Sequence, residues 1–338
     1  MISNRKEVDA IIDELLTSIK FPNGKEVRYG LLDIVNMISD YHEEGVALFP
    51  EVIVVDSADY FKTFRCHRVK IALMPLEQHV FSHSIKMCAP LAVNGWSIYL
   101  LIDHKNNSIE YGILTTELQV LSLSLYEQAI EAGIPEINCI YLRNVGNKVV
   151  EVRDVQTQFL IALSLNENYV SMDDTIKSLV EAIFSQEGNQ RESRNFLEKT
   201  IHQALNEGHG NLIAVVHDDK MHIDETLKKL RGGILLDKSI DLQMLAAEYK
   251  SQLTEESSLK LRSHADLVRS MLNFDGITLF TDQGRILGYH FIVNNNEVKA
   301  ENIQGGSRTR AYLALCGMES IRACFIKSQD GKVNFHVK

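Results

Sequence analysis

At the start of the chain, apolar residues recur at intervals of three and four. Val8, Ile11, Ile12, Leu15, Leu16 and Ile19 therefore share one face of a helix, which Pro22-Asn23-Gly24 should end. A second helix is expected over residues 31–41. The pattern then shortens into apolar runs between turn residues: EVIVVD (51–56), RVKIALMP (68–75) and WSIYLLIDHKNNSIEYGILTT (96–116). The last reads as a hairpin across Lys105-Asn106-Asn107. A helix over 118–132 and strands within 137–165, around Gly146-Asn147, should follow. Ser171 and Asp174 match a capping box, after which Ile176, Leu179, Val180, Ile183 and Phe184 line one helix face.

Residues 185–195, SQEGNQRESRN, hold no apolar residue and interrupt the period on both sides. This predicts a linker between a first domain, 1–184, and a second, 196–338. Beyond it we expect a helix over 196–206, a strand over 211–216, a short apolar segment GGILLD (232–237), and helix from 242 to about 269 with a loop at 254–258. A hairpin pairs 276–280 with 285–293. A helix opens near Ser307, and strands 323–327 and 332–337 close the pattern across Gln329-Asp330-Gly331. The expected class is mixed α/β (α+β): a C-terminal domain with a central mixed sheet flanked by helices, preceded by a separate mixed α/β domain. Ending on a strand pattern, the second domain reads as complete.

Composition agrees with two cores. A chain of 338 residues exceeds what one core usually serves, and 45% hydrophobic residues can fill two. Lys and Arg total 35 against 45 Asp and Glu, a net charge of -10. That balance opposes sequence-independent grip on nucleic acid or an anionic membrane, so any anion site must be local. Five scattered cysteines without C-x-x-C spacing suggest reduced thiols and a cytoplasmic location. The N-terminus lacks an apolar h-region, and no run approaches the ~20 apolar residues that cross a bilayer, so a soluble, unanchored protein is expected.

The candidate chemistry starts at NIQGGSRTRAYLAL (302–315). Gly305 and Gly306 free the backbone and Ser307 suits an N-cap, yet Arg308 and Arg310 then occupy the first turn of a helix, where its dipole disfavours cations. A bound anion resolves the conflict, because unpaired N–H groups and two guanidiniums together make a phosphate site. The bland alternative is a solvated helix face. In MLNFDGITLF, Asp275 and Gly276 stand at the mouth of an apolar strand, where a carboxylate could hold a divalent cation or polarise a hydroxyl; a plain Asp-Gly turn is the competing reading. Gly232 and Gly233 precede Ile234 and Leu235, which could sandwich a base or simply enter a core strand.

The order of these pieces resembles the diadenylate cyclase (DAC) domain family over roughly residues 196–338. Asp275-Gly276-Ile277 is similar to that family's Asp-Gly-Ala motif. Gly306-Ser307-Arg308-Thr309-Arg310-Ala311 is similar to its Arg-His-Arg-Ala motif and the preceding Gly-Thr. NLIAVV resembles its early core strand and GGILLD its base-contacting segment. The resemblance implies an enzyme that joins two ATP into cyclic di-AMP and two pyrophosphates with Mn²⁺ or Mg²⁺, in a homo-oligomer whose catalytic domains meet face to face. It implies that Asp275 serves the metal and the attacking hydroxyl and that Arg308 and Arg310 stabilise charge as pyrophosphate leaves. Nucleotide contacts would come from Gly232, Gly233, Ile234, Leu235, Gly276, Gly306, Ser307, Thr309 and Ser328. The sequence departs from the family at Phe274, where many members carry a metal-binding His, and at Thr309, where the motif has its middle His. Ser328, Gln329 and Asp330 match the family's last hairpin only in part.

The departures at Phe274 and Thr309 sustain one rival, a receptor that binds a nucleotide or cyclic dinucleotide without turnover; a cyclase with a different product is the other, since base choice rests on the shape of the site. The first domain matches no family by its motifs, and the layout gives it a sensing or controlling role. Within it, Cys66, His67, His79, His83 and Cys88 raise the question of zinc, since His79 and His83 would share a helix face. The stretch has no second ligand motif and could equally be a strand. Trp96 and the tyrosines read as core, and His209, His217 and His222 as surface or turn residues.

Overall fold

The computed structural model describes residues 2–21, 24–131, 138–146, 148–163, 172–185, 191–207, 210–294, 306–328 and 333–338. The chain divides into two compact units, Met1–Tyr169 and Val170–Lys338, each mixed α and β.

In the first unit, helices α1 (Ile2–Ser18) and α2 (Lys25–Ile38) precede a small hairpin of β1 (His42–Glu43) and β2 (Val46–Ala47). A seven-stranded sheet follows, built from β3 (Val52–Val55), β4 (His67–Pro75), β5 (Trp96–Asp103), β6 (Ser108–Thr115), β7 (Cys139–Gly146), β8 (Val149–Arg153) and β9 (Gln158–Ala162), with helix α3 (Gln78–Cys88) between β4 and β5. Strand order is β4-β6-β5-β3-β7-β8-β9; only β3 and β5 run parallel. Alternation along β3 sends Val52 and Val54 into a core with Ile12, Leu31, Ile34 and Phe81 of the helices. Ile53 and Val55 turn to a second core with Tyr60, Tyr99 and Tyr141.

Two expectations change here. Helix α2 starts at Lys25 rather than 31, because its buried stripe already begins at Val27 and Arg28 is anchored by Asp9 and Asp13 at 2.6 and 2.7 Å. Only the second half of the helix expected over 118–132 is wound as one: the Thr116 hydroxyl donates to the Leu123 carbonyl, and helical winding starts at Leu125. The cue is Ser124-x-x-Glu127, whose side chains bond each other's backbone N–H as a capping box does.

The second unit begins with α4 (Met172–Ile183) and α5 (Arg191–Glu207), then β10 (Asn211–Val216), α6 (Lys220–Lys229), β11 (Leu230–Arg231), β12 (Ile234–Asp241), α7 (Leu242–Gln252) and α8 (Glu255–Asn273). Strands β13 (Ile277–Thr281) and β14 (Arg285–Val293), helix α9 (Ser307–Cys316), and strands β15 (Ile321–Lys327) and β16 (Val333–Val337) complete it. Its sheet runs β11-β14-β13-β10-β15-β16, with β12 also paired to β14; β10 and β13 are parallel and the other pairs antiparallel. All six side chains of β10 are buried, as a strand covered on both faces requires. One face packs Leu212, Ala214, Leu279 and Leu315 into a core that α6 and α9 help close.

Here α4 packs on α5, β15 and β16, so it belongs with the second unit and not, as its place before the polar stretch suggested, with the first. Residues 191–195 of the expected linker form the first turn of α5, and Ser185 bonds the Asp282 carbonyl through N–H and Oγ. The loop expected at 254–258 shrinks to Leu253, at φ 50°, and Thr254, which caps α8 with Ser257 in a capping box. Ser171, Gly305, Gln329 and Asp330 lie outside the described residues.

Candidate functional site

Parallel β10 and β13 start at one end of the second sheet, and antiparallel β14 and β15 end there. At the head of β10, the Asn211 amide donates to the Leu272 carbonyl at 2.6 Å and to Asn273 Oδ1 at 3.2 Å, holding the C-terminus of α8 against the sheet. Helix α8 stops at Asn273, Phe274 turns extended, and Gly276 takes φ 109°. A Cβ on Gly276 would stand 2.9 Å from the His290 backbone, so only glycine fits both the turn and the approach to β14. This geometry lifts Asp275 to the surface, its side chain 79% exposed.

From α9, Arg308 Nη2 donates to Asp275 Oδ1 at 3.0 Å, bringing together the two motifs 33 residues apart. Room for the guanidinium comes from Gly210, at φ 137°, where a Cβ would fall 2.7 Å from Arg308 Nη1. The helix is capped one residue earlier than the sequence suggested: Gly306 is the N-cap and Ser307 the first helical residue, without a side-chain cap bond. The first intrahelical bond runs from Arg310 N–H to the Gly306 carbonyl at 3.1 Å. The N–H groups of Ser307, Arg308 and Thr309 precede that bond and so head the positive end of the dipole. Arg310 is exposed beside them and Thr309 is half-buried.

An apolar shelf borders these charges. On β12, Ile234 and Leu235 are 45% and 55% exposed, and Phe274 is 50% exposed. Ile234 pairs with Tyr289 and Leu235 with Gly288 of β14, while the Phe274 ring stands edge-on to Tyr289 at 5.6 Å and to His290 at 4.9 Å. Gly232, at φ 66°, turns the chain into β12, and Gly233 lies against the Phe291 ring. Ser328 follows β15 at the same end; its neighbour Lys327 donates to the Leu205 carbonyl, and burial lowers the Lys327 pKa.

Sequence reasoning missed His290. It has φ 63°, rare for a residue with a side chain, and its Nδ1 bonds the Asp275 carbonyl. A carbonyl only accepts, so Nδ1 carries the proton and Nε2 keeps either a lone pair or a second proton for another group. Nothing in the run RILGYHFIV marks that residue, because the contact depends on how β14 passes Gly276.

Elsewhere several carboxylates are paired within their own clusters. At the opposite end of the same sheet, Asp218 accepts from Arg285 Nε at 2.8 Å and Thr281 Oγ1 at 3.1 Å, and Asp282 accepts from the Asp218 N–H at 2.9 Å and His217 Nδ1 at 3.0 Å. His222 bonds Asp219 at 2.6 Å, and His209 lies outside the described residues. In the first unit, buried Glu151 takes Arg143 Nε at 2.6 Å and Gln158 Nε2 at 2.7 Å. His79 and His83 do share α3, but His79 pairs with Glu77 at 3.2 Å and His83 stands edge-on to Tyr111, while Cys88 is buried and its pKa pushed up to about 12. Among the described residues no three His, Cys, Asp or Glu side chains gather as a metal site, and no helix is long and apolar enough to cross a membrane.

Compared with known protein families and with curated proteins, the chain matches none.

Proposed function

We propose that the second unit binds ATP at this sheet end and, as a pair of units face to face, joins two ATP into cyclic di-AMP and two pyrophosphates. The observation that carries the reading is the meeting of Asp275 and Arg308 at 3.0 Å beside an uncapped helix start. That juxtaposition supplies a carboxylate, a guanidinium and the N–H groups of a helix start in one place, with exposed Arg310 two residues on, which suits a triphosphate and a hydroxyl to be activated.

In this reading α9 receives the phosphates through Ser307, Arg308, Thr309 and Arg310, and the shelf of Ile234, Leu235 and Phe274 takes the flat apolar base. Phosphate binding draws Arg308 from Asp275 and frees the carboxylate to orient the 3′-hydroxyl of the facing nucleotide. Asp275 also fits a divalent cation, since Mg²⁺ and Mn²⁺ favour oxygen donors and commonly combine one or two protein carboxylates with substrate phosphates. When bound, such a cation polarises the phosphoryl oxygens and offsets charge on the leaving pyrophosphate. One unit holding one ATP cannot complete a two-fold product, so turnover requires pairing. The first unit controls that pairing.

A nucleotide receptor without turnover is the second reading, favoured by Phe274, an apolar ring where the resembled family carries a metal-binding His. Incubating the purified full chain with ATP and Mn²⁺ and identifying products by mass separates the two: cyclic di-AMP supports the cyclase, while ATP bound and returned intact supports the receptor. A different cyclic product would keep the site and change its substrate. To test control, the cut belongs after residue 169, because a cut at 190 removes α4 from the sheet it packs on. Matching rates and concentration dependence in cut and full-length chains would make the first unit a passenger.

A further inference from the structure

Helix α9 ends on Cys316, and β15 carries Cys324 into the same core; their sulfurs stand 2.9 Å apart. Both are free thiols, Cys324 buried and Cys316 half-exposed. A disulfide is ~2.05 Å long, so bonding needs only about 0.9 Å of further approach. We propose that Cys316 and Cys324 form a reversible dithiol site that low-molecular-weight disulfides oxidise, stapling the end of α9 to β15.

The chemistry assigns the roles. A hydrogen bond from Cys324 lowers the Cys316 pKa to about 7, helped by the Tyr312 hydroxyl and the charge of Lys338, and opposed by burial. The negative pole at the C-terminus of α9 also opposes a thiolate there, so these local donors are what favour it. Cys324, bonded to Cys316 and buried, has its pKa raised and keeps its proton. The half-exposed Cys316 thiolate is therefore the attacking sulfur. It attacks one sulfur of a disulfide such as glutathione disulfide, and the first glutathione leaves as thiolate. Cys324 then loses its proton and attacks Cys316 Sγ, expelling the second glutathione. Two protein thiols are oxidised and one glutathione disulfide is reduced to two thiols. The product clamps the helix whose first turn carries Arg308 and Arg310, independently of what those arginines bind.

The test uses the full chain equilibrated in glutathione buffers of rising disulfide fraction, quenched with an alkylating agent and digested with trypsin. Cleavage after Arg310, Arg322 and Lys327 puts the two cysteines on separate peptides, 311–322 and 323–327. We expect these peptides to appear linked, to separate on reduction, and to accompany a loss of about 2 Da from the intact chain, two hydrogens. The oxidised chain should melt at higher temperature than the reduced one. Cys324→Ser should instead trap glutathione on Cys316, and Cys316→Ser should abolish both products. The proposal is overturned if peptides 311–322 and 323–327 stay separate while glutathione modifies Cys66, or if both thiols stay alkylatable at every poise.

Discussion

At one end of the second unit's sheet, Asp218 and Asp282 have side chains 10% and 9% exposed and are held by Arg285, Thr281, His217 and a backbone N–H. At the other end, Asp275 is 79% exposed and meets Arg308. The same residue types, at opposite ends of one sheet, do opposite things. A carboxylate buried among several donors must stay paired, since removing a partner leaves a charge or donor unsatisfied. An exposed carboxylate held by one guanidinium costs little to release, because surface ion pairs contribute ~0–1 kcal/mol. The closed end is organised for stability, and the open end keeps its charges available.

The largest expected effect on stability tests the closed end. Asp218→Ala takes the carboxylate from the Thr281 hydroxyl and from the Arg285 guanidinium, which is 37% exposed and can turn to water, while Thr281 Oγ1 keeps the N–H groups of Gln283 and Arg285. It should cost about 2 kcal/mol, read from urea melts of the full chain. A loss under ~0.5 kcal/mol would break the distinction. At the open end, Asp275→Asn should shift stability by no more than ~0.5 kcal/mol while cyclisation falls about 100-fold, equivalent to about 2.7 kcal/mol in the barrier. Undiminished product from the folded Asp275→Asn protein would remove that residue from the chemistry.

How much of this contrast the sequence discloses depends on the range of the signal. Asp275-Gly276 and the arginines of α9 stand out locally, because an acid and a glycine mark the mouth of an apolar strand and cations at a helix start oppose its dipole. Strands such as NLIAVV declare themselves by apolar run and length. His290 and Asp218 do not, since each owes its role to a partner 15 or 67 residues away. Cys316 and Cys324 look scattered in sequence for the same reason: α9 folding back onto β15 is what joins them. The displaced domain boundary is likewise physical. Polar residues 191–195 suggested a linker, but they form the first turn of α5, where only Arg191 is exposed and Arg194 Nη2 donates to the Phe184 carbonyl at 2.8 Å.

A smaller effect separates the two arginines. Arg310→Ala and Arg308→Ala should each weaken ATP binding about tenfold, or ~1.4 kcal/mol. Without ligand, Arg310→Ala should leave stability unchanged or raise it by ~0.3–1 kcal/mol, because a cation leaves the positive end of α9. Arg308→Ala also loses the bond to Asp275, so its unliganded melt should fall relative to Arg310→Ala. Melts with and without ATP read both terms. Identical unliganded melts would mean that the 3.0 Å ion pair contributes nothing to the resting fold.

The smallest expected effect on the fold concerns His290. Holding a β-carbon at φ 63° costs free energy that glycine would not incur, and such backbone persists where surrounding structure or a ligand rewards it. His290→Gly removes that strain and also the bond from Nδ1 to the Asp275 carbonyl; with each worth about 1 kcal/mol, stability should change by less than ~0.5 kcal/mol. His290→Ala keeps the strained backbone and still loses the bond, so it should be less stable than the glycine variant by about 1 kcal/mol. Both variants lack the imidazole that fixes the Asp275 carbonyl and offers Nε2 to the open end. Both should therefore lose ATP affinity equally, despite their different stabilities. That separation of binding from stability is the sharpest form of the contrast between the two sheet ends: if ATP affinity instead follows the melting temperature from wild type through glycine to alanine, His290 belongs with the closed end's structural residues.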